Sequence, residues 1–289
     1  LLAKADLIIE NGLNLEGWMG ELIAQAGKSA RRVVATQGIV PISSEEHAGS
    51  FDPHAWMDPI LGRQYAQNIS LALQQLVPAQ TLYLQERLTQ YDSLLLSTHQ
   101  RIEQLLAGIP AERRVIATTH DAFRYFGKRY QMDVVSVLGT TTDAEVRTAD
   151  LQALINTIES RRLPAIFVES TINPKLLQQV AEDAGIRIGG SMYADSMGPK
   201  GSGADTYLRM LEHNARVLAD ALGQTAMSEQ KRIDLLLLGV IALFFLAAFV
   251  WLALRIQQPA SPPLPAGAVL EVSSLTVAYD NKVVLNHFD

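Results

Sequence analysis

Apolar positions along this chain change their period several times, and each change marks an element. Residues 5–10 (Ala-Asp-Leu-Ile-Ile-Glu) read as a short strand, and Asn11-Gly12 is a turn signal. Over residues 14–26 the side chains Leu15, Trp18, Met19, Leu22 and Ile23 recur at helical spacing. Residues 33–36 return to strand, and a polar loop runs from Gln37 to Asp52. Residues 78–107 hold the longest periodic stretch, in which Leu84, Leu88, Tyr91, Leu95, Ile102 and Leu105 step by three, four or seven. That spacing predicts a single helix of roughly 30 residues, roughly 45 Å long at about 1.5 Å rise per residue. Such a length suits a strut connecting two lobes, and Pro110 ends it.

Beyond Pro110 strands and helices alternate. Val115–Thr118, Val134–Leu138, Ala165–Val168 and Ile186–Tyr193 are predicted strands; Ala122–Tyr130, Ala149–Arg161, Pro174–Ala184 and Ala204–Leu222 are predicted helices. Alternation of this kind implies an α/β lobe with a parallel sheet. Ligands of such sheets sit at the carboxyl ends of the strands. His120, Glu169 and Asp195 all fall just after predicted strands.

Residues 233–254 follow another rule. From Ile233 to Leu254 the run is apolar or small except for Asp234 at its edge, about the ~20 residues needed to cross a hydrocarbon core. A transmembrane helix is expected over 231–256. A Pro-rich linker follows over 257–267, and then a strand-like run from Leu270 with a turn at Asp280-Asn281. The chain opens on Leu1 without a charged segment leading into an apolar one, so the expectation is a cut through a domain with no signal peptide.

Composition narrows the chemistry. A net charge of -6 over 289 residues argues against nucleic acid as a partner, since phosphate binding needs a basic surface. There is no cysteine, which excludes disulfides and any thiolate metal site and leaves the redox compartment open. What remains for a divalent transition metal is imidazole plus carboxylate. Three settings offer them: Asp-Pro-His-Ala-Trp around His54, Thr-Thr-His-Asp-Ala-Phe around His120, and Tyr-Ala-Asp-Ser-Met-Gly around Asp195. His47 reads as a solvated loop residue, His99 and His213 as surface residues on helices. Asp121 reads as a charge at a helix N-terminus, and Asp58 as a surface residue. Gly198-Pro-Lys-Gly-Ser-Gly203 reads as the turn after Asp195, and Gly27-Lys28-Ser29 lacks the first glycine of a phosphate loop.

Six ordered motifs carry a resemblance: Asn11-Gly-Leu-Asn-Leu-Glu-Gly-Trp18, Asp52-Pro-His-Ala-Trp56, His120-Asp-Ala-Phe123, Phe167-Val-Glu-Ser170, Asp195-Ser196 and Thr206-Tyr207. From about residue 5 to 222 the chain resembles the cluster A-I solute-binding proteins of zinc and manganese ABC importers. The resemblance implies two α/β lobes joined by one long helix, with a metal in the interlobe cleft. The expected organisation is an N-terminal lobe over 1–76, the connecting helix over 77–109 and a C-terminal lobe over 110–225. By the same resemblance His54, His120 and Asp195 match metal ligands, and Glu169 is an orienting partner more than a ligand. A further family histidine lies upstream of the first strand, so the site is expected to be one ligand short and weaker for it. Zn²⁺ or Mn²⁺ is the expected cargo, ahead of Fe²⁺.

The implied function is capture of the metal outside the cell membrane, in the periplasm or beyond, for delivery to an ABC permease and its ATPase, with no chemistry performed. The tail over 268–289 resembles the first strands of an ABC ATPase through Leu270-Glu-Val, Leu275, Val277, Tyr279 and Val284-Leu285, without a Walker A motif. Lys231 and Arg232 before the span against Arg255 after it would by charge place the binding domain inside, but large domains translocate with little regard to a difference of one charge, and the domain's role places it outside. Two other readings stand beside this one: a metal-dependent hydrolase with Glu169 as base, and a surface adhesin of the same fold.

Overall fold

Strand β1 (Leu7–Glu10) pairs in parallel with β2 (Arg31–Val34), and α1 (Gly20–Ala26) crosses between them. The computed structural model describes residues 2–26, 30–44, 49–118, 120–136, 148–161, 163–170, 174–256, 277–279 and 282–285. They fall into two units, Leu1–Glu229 and Gln230–Asp289. Helix α1 starts later than its apolar spacing predicts. Gly12, Leu13 and Asn14 all take positive φ (85°, 55° and 70°), which no right-handed helix accommodates. The Glu16 carboxylate accepts the N–H groups of Asn11 (2.6 Å) and Gly12 (3.0 Å) and holds this turn. Gly12 must be glycine, because a Cβ there would lie 2.4 Å from Val34 Cγ1.

Helix α2 (Pro59–Leu76) has no counterpart in the sequence reading. Asp58 caps it by accepting the Ile60 N–H at 2.8 Å, and Pro59 fills the first turn, where its missing N–H is harmless. Its apolar stripe is thin: Pro59, Gly62, Ser70 and Ala72 are its buried residues. A short 3-10 turn (Pro78–Gln80) reverses the chain into α3 (Thr81–Leu106), the long helix predicted from periodicity. The two helices run antiparallel, pinned by a bidentate pair from Arg63 to Asp92 (2.6 and 3.0 Å). The second half of α3 does the burying, through Leu95, Thr98, Ile102 and Leu106.

The remaining strands of the first unit are also parallel pairs. β3 (Val115–Thr118) pairs with β4 (Asp133–Ser136) across α4 (Arg124–Tyr130). Helix α5 (Thr148–Arg161) leads into β5 (Ile166–Glu169), which pairs with β6 (Ile188–Met192) across α6 (Pro174–Asp183). Strand β3 runs beside β5. One core joins α3, α4 and the last helix through Ile102, Phe123, Phe126, Phe167, Leu211 and Leu218; a second fills the space around α5 and α6 with Leu154, Ile158, Ile166, Leu177 and Val180.

The last helix, α7 (Tyr207–Ile256), differs from expectation by its length of 50 residues. The predicted stop at Leu222 does not occur, since no proline lies between Leu222 and Ile256 to break the backbone ladder. Among the described residues no helix is long and apolar enough to cross a membrane, so the transmembrane span expected over 231–256 is not established, although the helix itself runs through it. The second unit also holds β7 (Val277–Tyr279) and β8 (Lys282–Leu285), an antiparallel pair on either side of the predicted turn. The linker over 257–267 lies outside the described residues, and the rest of the ATPase-like tail likewise.

Candidate metal centre

The Asp52-Pro53-His54 run builds its own geometry. Asp52 Oδ1 accepts the His54 backbone N–H at 2.9 Å and also the ring Nδ1 at 2.7 Å. A carboxylate that bonds the backbone two residues on is an Asx-type turn, and Pro53 between them presets φ and offers no competing donor. One oxygen thereby fixes both the main chain and the ring of His54. With Nδ1 carrying the proton toward Asp52, the lone pair sits on Nε2 and points away from the turn.

His120 is held in the same way from farther off. It lies two residues past β3, and its backbone N–H donates to Glu169 Oε1 at 2.8 Å while its Nδ1 sits against Glu169 Oε2. Glu169 ends β5, the neighbour of β3, which explains the reach. Asp52, His120 and Glu169 are fully buried and His54 is 2% exposed. Each histidine therefore carries a buried carboxylate on Nδ1, the arrangement that turns Nε2 toward a metal and raises its basicity.

Both Nε2 atoms converge on Asp195, three residues past β6. His54 Nε2 stands 3.4 Å from Asp195 Oδ1, and His120 Nε2 stands 3.4 Å from Oδ2. These separations are longer than ordinary hydrogen bonds. They match the edge of a ligand tetrahedron, which is about 3.3 Å for metal–ligand bonds near 2.0–2.1 Å. His120 Nε2 is buried with no hydrogen-bond partner among the described residues. One ligand atom from each of His54, His120 and Asp195 lies within 4.8 Å of the others, and the group could hold a metal ion. The Asp195 side chain keeps 32% of its surface exposed, which gives the site a solvent side.

The protonation of the metal-free site follows from these contacts. Burial alone lowers the imidazoles, but Asp195 and Glu169 outweigh it at His120, which is pushed up to about 10. At His54 burial is likewise outweighed, by Asp195 and Asp52, and the net shift is upward. Burial raises Asp195, yet His120 and His54 hold it well below the usual carboxylate range. A proton on His120 thus stands where a cation would neutralise Asp195 and Glu169.

The other expectations divide. Glu169 is where the sequence put it and grips His120 through both oxygens, so it is not free to serve as a base. Asp52, which bonds both the ring and the backbone N–H of His54, is not singled out by the sequence; the signal available is an Asp two residues before a histidine with Pro between. Asp58, read as a surface residue, is 3% exposed and takes Arg129 Nε and Nη2 at 2.8 Å besides capping α2. His99 contacts Tyr130 Oη (3.1 Å) and His213 the Ser191 carbonyl (3.1 Å), both away from the site. His47 and Gly27-Lys28-Ser29 lie outside the described residues. The glycine-rich turn closes on itself, with the Gly198 N–H on Ala204 O (2.8 Å) and the Gly201 N–H on Asp205 Oδ2 (2.8 Å). A cavity of about 580 Å³ lined by Ile60, Arg63, Tyr125 and Arg129 contains none of the three converging residues.

Comparison with known proteins identifies the family and the fold. A sequence profile described as "ZnuA: Zinc-uptake complex component A periplasmic" matches residues 1–221. The zinc-binding protein TroA of Treponema pallidum (strain Nichols) is 36% identical over 231 residues, 77% of this chain and 74% of TroA. The manganese-binding lipoprotein MntA of Bacillus subtilis (strain 168) is 31% identical over 229 residues, 76% of this chain and 74% of MntA. The solved structure of the periplasmic zinc-binding protein TroA from Treponema pallidum superposes with a TM-score of 0.73 at 34% identity, covering 76% of this chain and 82% of that one. A manganese-bound mutant of the periplasmic metal-binding protein from Candidatus Liberibacter asiaticus gives 0.68 at 28% identity, with coverage of 76% and 82%.

Proposed function

The chain belongs to the ZnuA family of periplasmic zinc-uptake components, and from that premise we propose that it captures Zn²⁺ or Mn²⁺ and hands it to the permease of an ABC importer. The family consists of binding proteins with an α/β periplasmic-binding-protein fold, not enzymes. His54, His120 and Asp195 are the ligands in this reading, with Asp52 and Glu169 orienting the two rings. The observation that carries it is the convergence of two Nε2 atoms and one carboxylate at 3.4 Å spacings, each imidazole backed by a buried acid. The metal is cargo, so the protein's work is selection, desolvation and release. The relatives, metal-binding components of zinc and manganese uptake systems, support this reading over a hydrolase or an adhesin, and the one acid proposed as a hydrolase's base contacts His120.

The same reading divides the first unit into two lobes, with α3 as the element between them and the ligands drawn from both. It also places the α7 segment over 231–256 in a membrane, with the metal-binding part periplasmic or extracellular. In support, Ile233–Leu254 carries one charge, and Leu243, Phe244, Phe245, Leu246 and Trp251 are more than half exposed, a costly arrangement in water. The tail over 268–289 is then the start of an ATPase-like segment across that membrane.

Two experiments test this. Elemental analysis and calorimetry on the full chain should give one bound Zn²⁺ or Mn²⁺ per molecule, abolished in His120→Ala and Asp195→Ala. Binding indifferent to both substitutions would remove the proposed ligand set. For the anchor, the chain should stay with membranes through alkaline carbonate extraction, and release into the soluble fraction would reject the span.

A further inference from the structure

The three ligand residues come from segments 66 and 75 residues apart in the chain, so something must set the distance between them. Trp56 is placed to do so. It follows His54 by two residues, in the 3-10 turn Ala55–Met57, which is closed by the Met57 N–H on His54 O at 3.0 Å. Its indole edge packs on the His54 ring, with centroids 5.1 Å apart and planes at 64°. Its Nε1–H donates to the Ala194 carbonyl at 3.0 Å, one residue before Asp195. Its own carbonyl accepts the Tyr207 hydroxyl at 2.5 Å.

Both anchors of Trp56 belong to one rigid piece. Asn214 on α7 accepts the Tyr193 N–H (2.9 Å) and donates to the Tyr193 carbonyl (2.7 Å), fixing the strand end that leads to Asp195. Tyr207 is the first residue of the same helix. The phenol reaches Trp56 because position 62 is glycine; a Cβ there would stand 2.6 Å from the Tyr207 oxygen. The His54 and Asp195 segments, whose ligand atoms stand 3.4 Å apart, are therefore tied by one residue: the Trp56 ring packs on His54 and bonds the Ala194 carbonyl, and the Trp56 main-chain carbonyl is held by Tyr207.

We propose that Trp56, seated by Tyr207, is a positioning residue that sets the His54–Asp195 separation and with it the ligand field and release rate of the bound metal. This rests on the metal-binding reading above. Trp56 touches no metal in this role; it acts through the two ligands it spaces. Loss of its N–H lets the two ligand segments drift apart, which weakens the Asp195 arm first.

The test uses the full chain loaded with Co²⁺, whose visible absorption reports ligand geometry, and chelator-driven release of Zn²⁺. Trp56→Phe keeps an aromatic edge on His54 and deletes the N–H. It should shift the Co²⁺ bands and release Zn²⁺ about tenfold faster, the scale of one buried hydrogen bond. Tyr207→Phe should move both readouts in the same direction, and decides alone if Trp56→Phe does not fold. Ile102→Val, a core change remote from the site, should lower stability with unchanged bands. Wild-type bands and release rate in Trp56→Phe and Tyr207→Phe would overturn the inference. Failure of the wild-type chain to bind Co²⁺ or Zn²⁺ at all would instead overturn the metal-binding reading.

Discussion

At the scale of single residues, the centre is two copies of one device: a buried acid on Nδ1 and on the backbone N–H of a histidine. Asp52 and Glu169 perform it from opposite sequence distances, two residues and 49 residues. Asp52→Ala should therefore weaken metal affinity by about 10–100-fold, with Asp52→Asn milder because it keeps an acceptor; competition with a fluorescent chelator measures both. The pH dependence follows from the raised imidazoles. His120, pushed up to about 10, holds a proton at neutral pH in the metal-free chain, and His54 is shifted in the same direction; a metal must displace such protons, so affinity rises with pH. Calorimetry at pH 7 in buffers of different ionisation enthalpy should detect proton release on binding, with the His120 proton included, and no release would contradict the assignment. For the metal-free fold the raised histidines stabilise below about pH 6.5 and lose that effect as pH climbs toward about 10 for His120. The lowered Asp195 stabilises above about pH 4 and loses its effect in acid. Stability of the chelated protein should thus peak between these limits, and a melting midpoint rising steadily from pH 6 to 9 would contradict the assignment.

At the scale of elements, the periodic helices and strands were legible and the irregular ones were not. Helix α3 follows from Leu84, Leu95 and Ile102 at helical spacing, and its boundaries shift by only a few residues. Helix α2 escaped because its buried face is made of Pro59, Gly62, Ser70 and Ala72, none of them a strong apolar signal. Small residues on that face exist for close approach, which is a property of the neighbour and not of the helix. Gly62→Ala tests this: ordinarily helix-favouring, it should here cost about 1–3 kcal/mol through collision with Tyr207, measured by urea denaturation. A stabilised variant would show that α2 and Tyr207 are less tightly packed than described.

At the scale of the whole molecule, cargo and fold are coupled. An ion that binds the folded site and not the open chain stabilises by about 4 kcal/mol at a thousandfold excess over Kd. Zn²⁺ should raise the melting midpoint of the full chain and EDTA should reverse it, with no such shift in His120→Ala. The sequence by itself determined the α/β alternation, the long helix, the apolar run over 233–254 and the residue types available for a metal, because these depend on local spacing and composition. It also carried the motifs by which the family resemblance could be drawn. Tertiary structure alone decided that Asp52 is a ring partner of His54, that Glu169 meets both the ring and the backbone of His120, that Asp58 is buried against Arg129, and that Trp56 joins His54 to Asp195. Each of those depends on an angle or a distance between segments far apart in the chain. Periodicity carries no such information, since the alternation that makes a strand is the same whatever stands at its end.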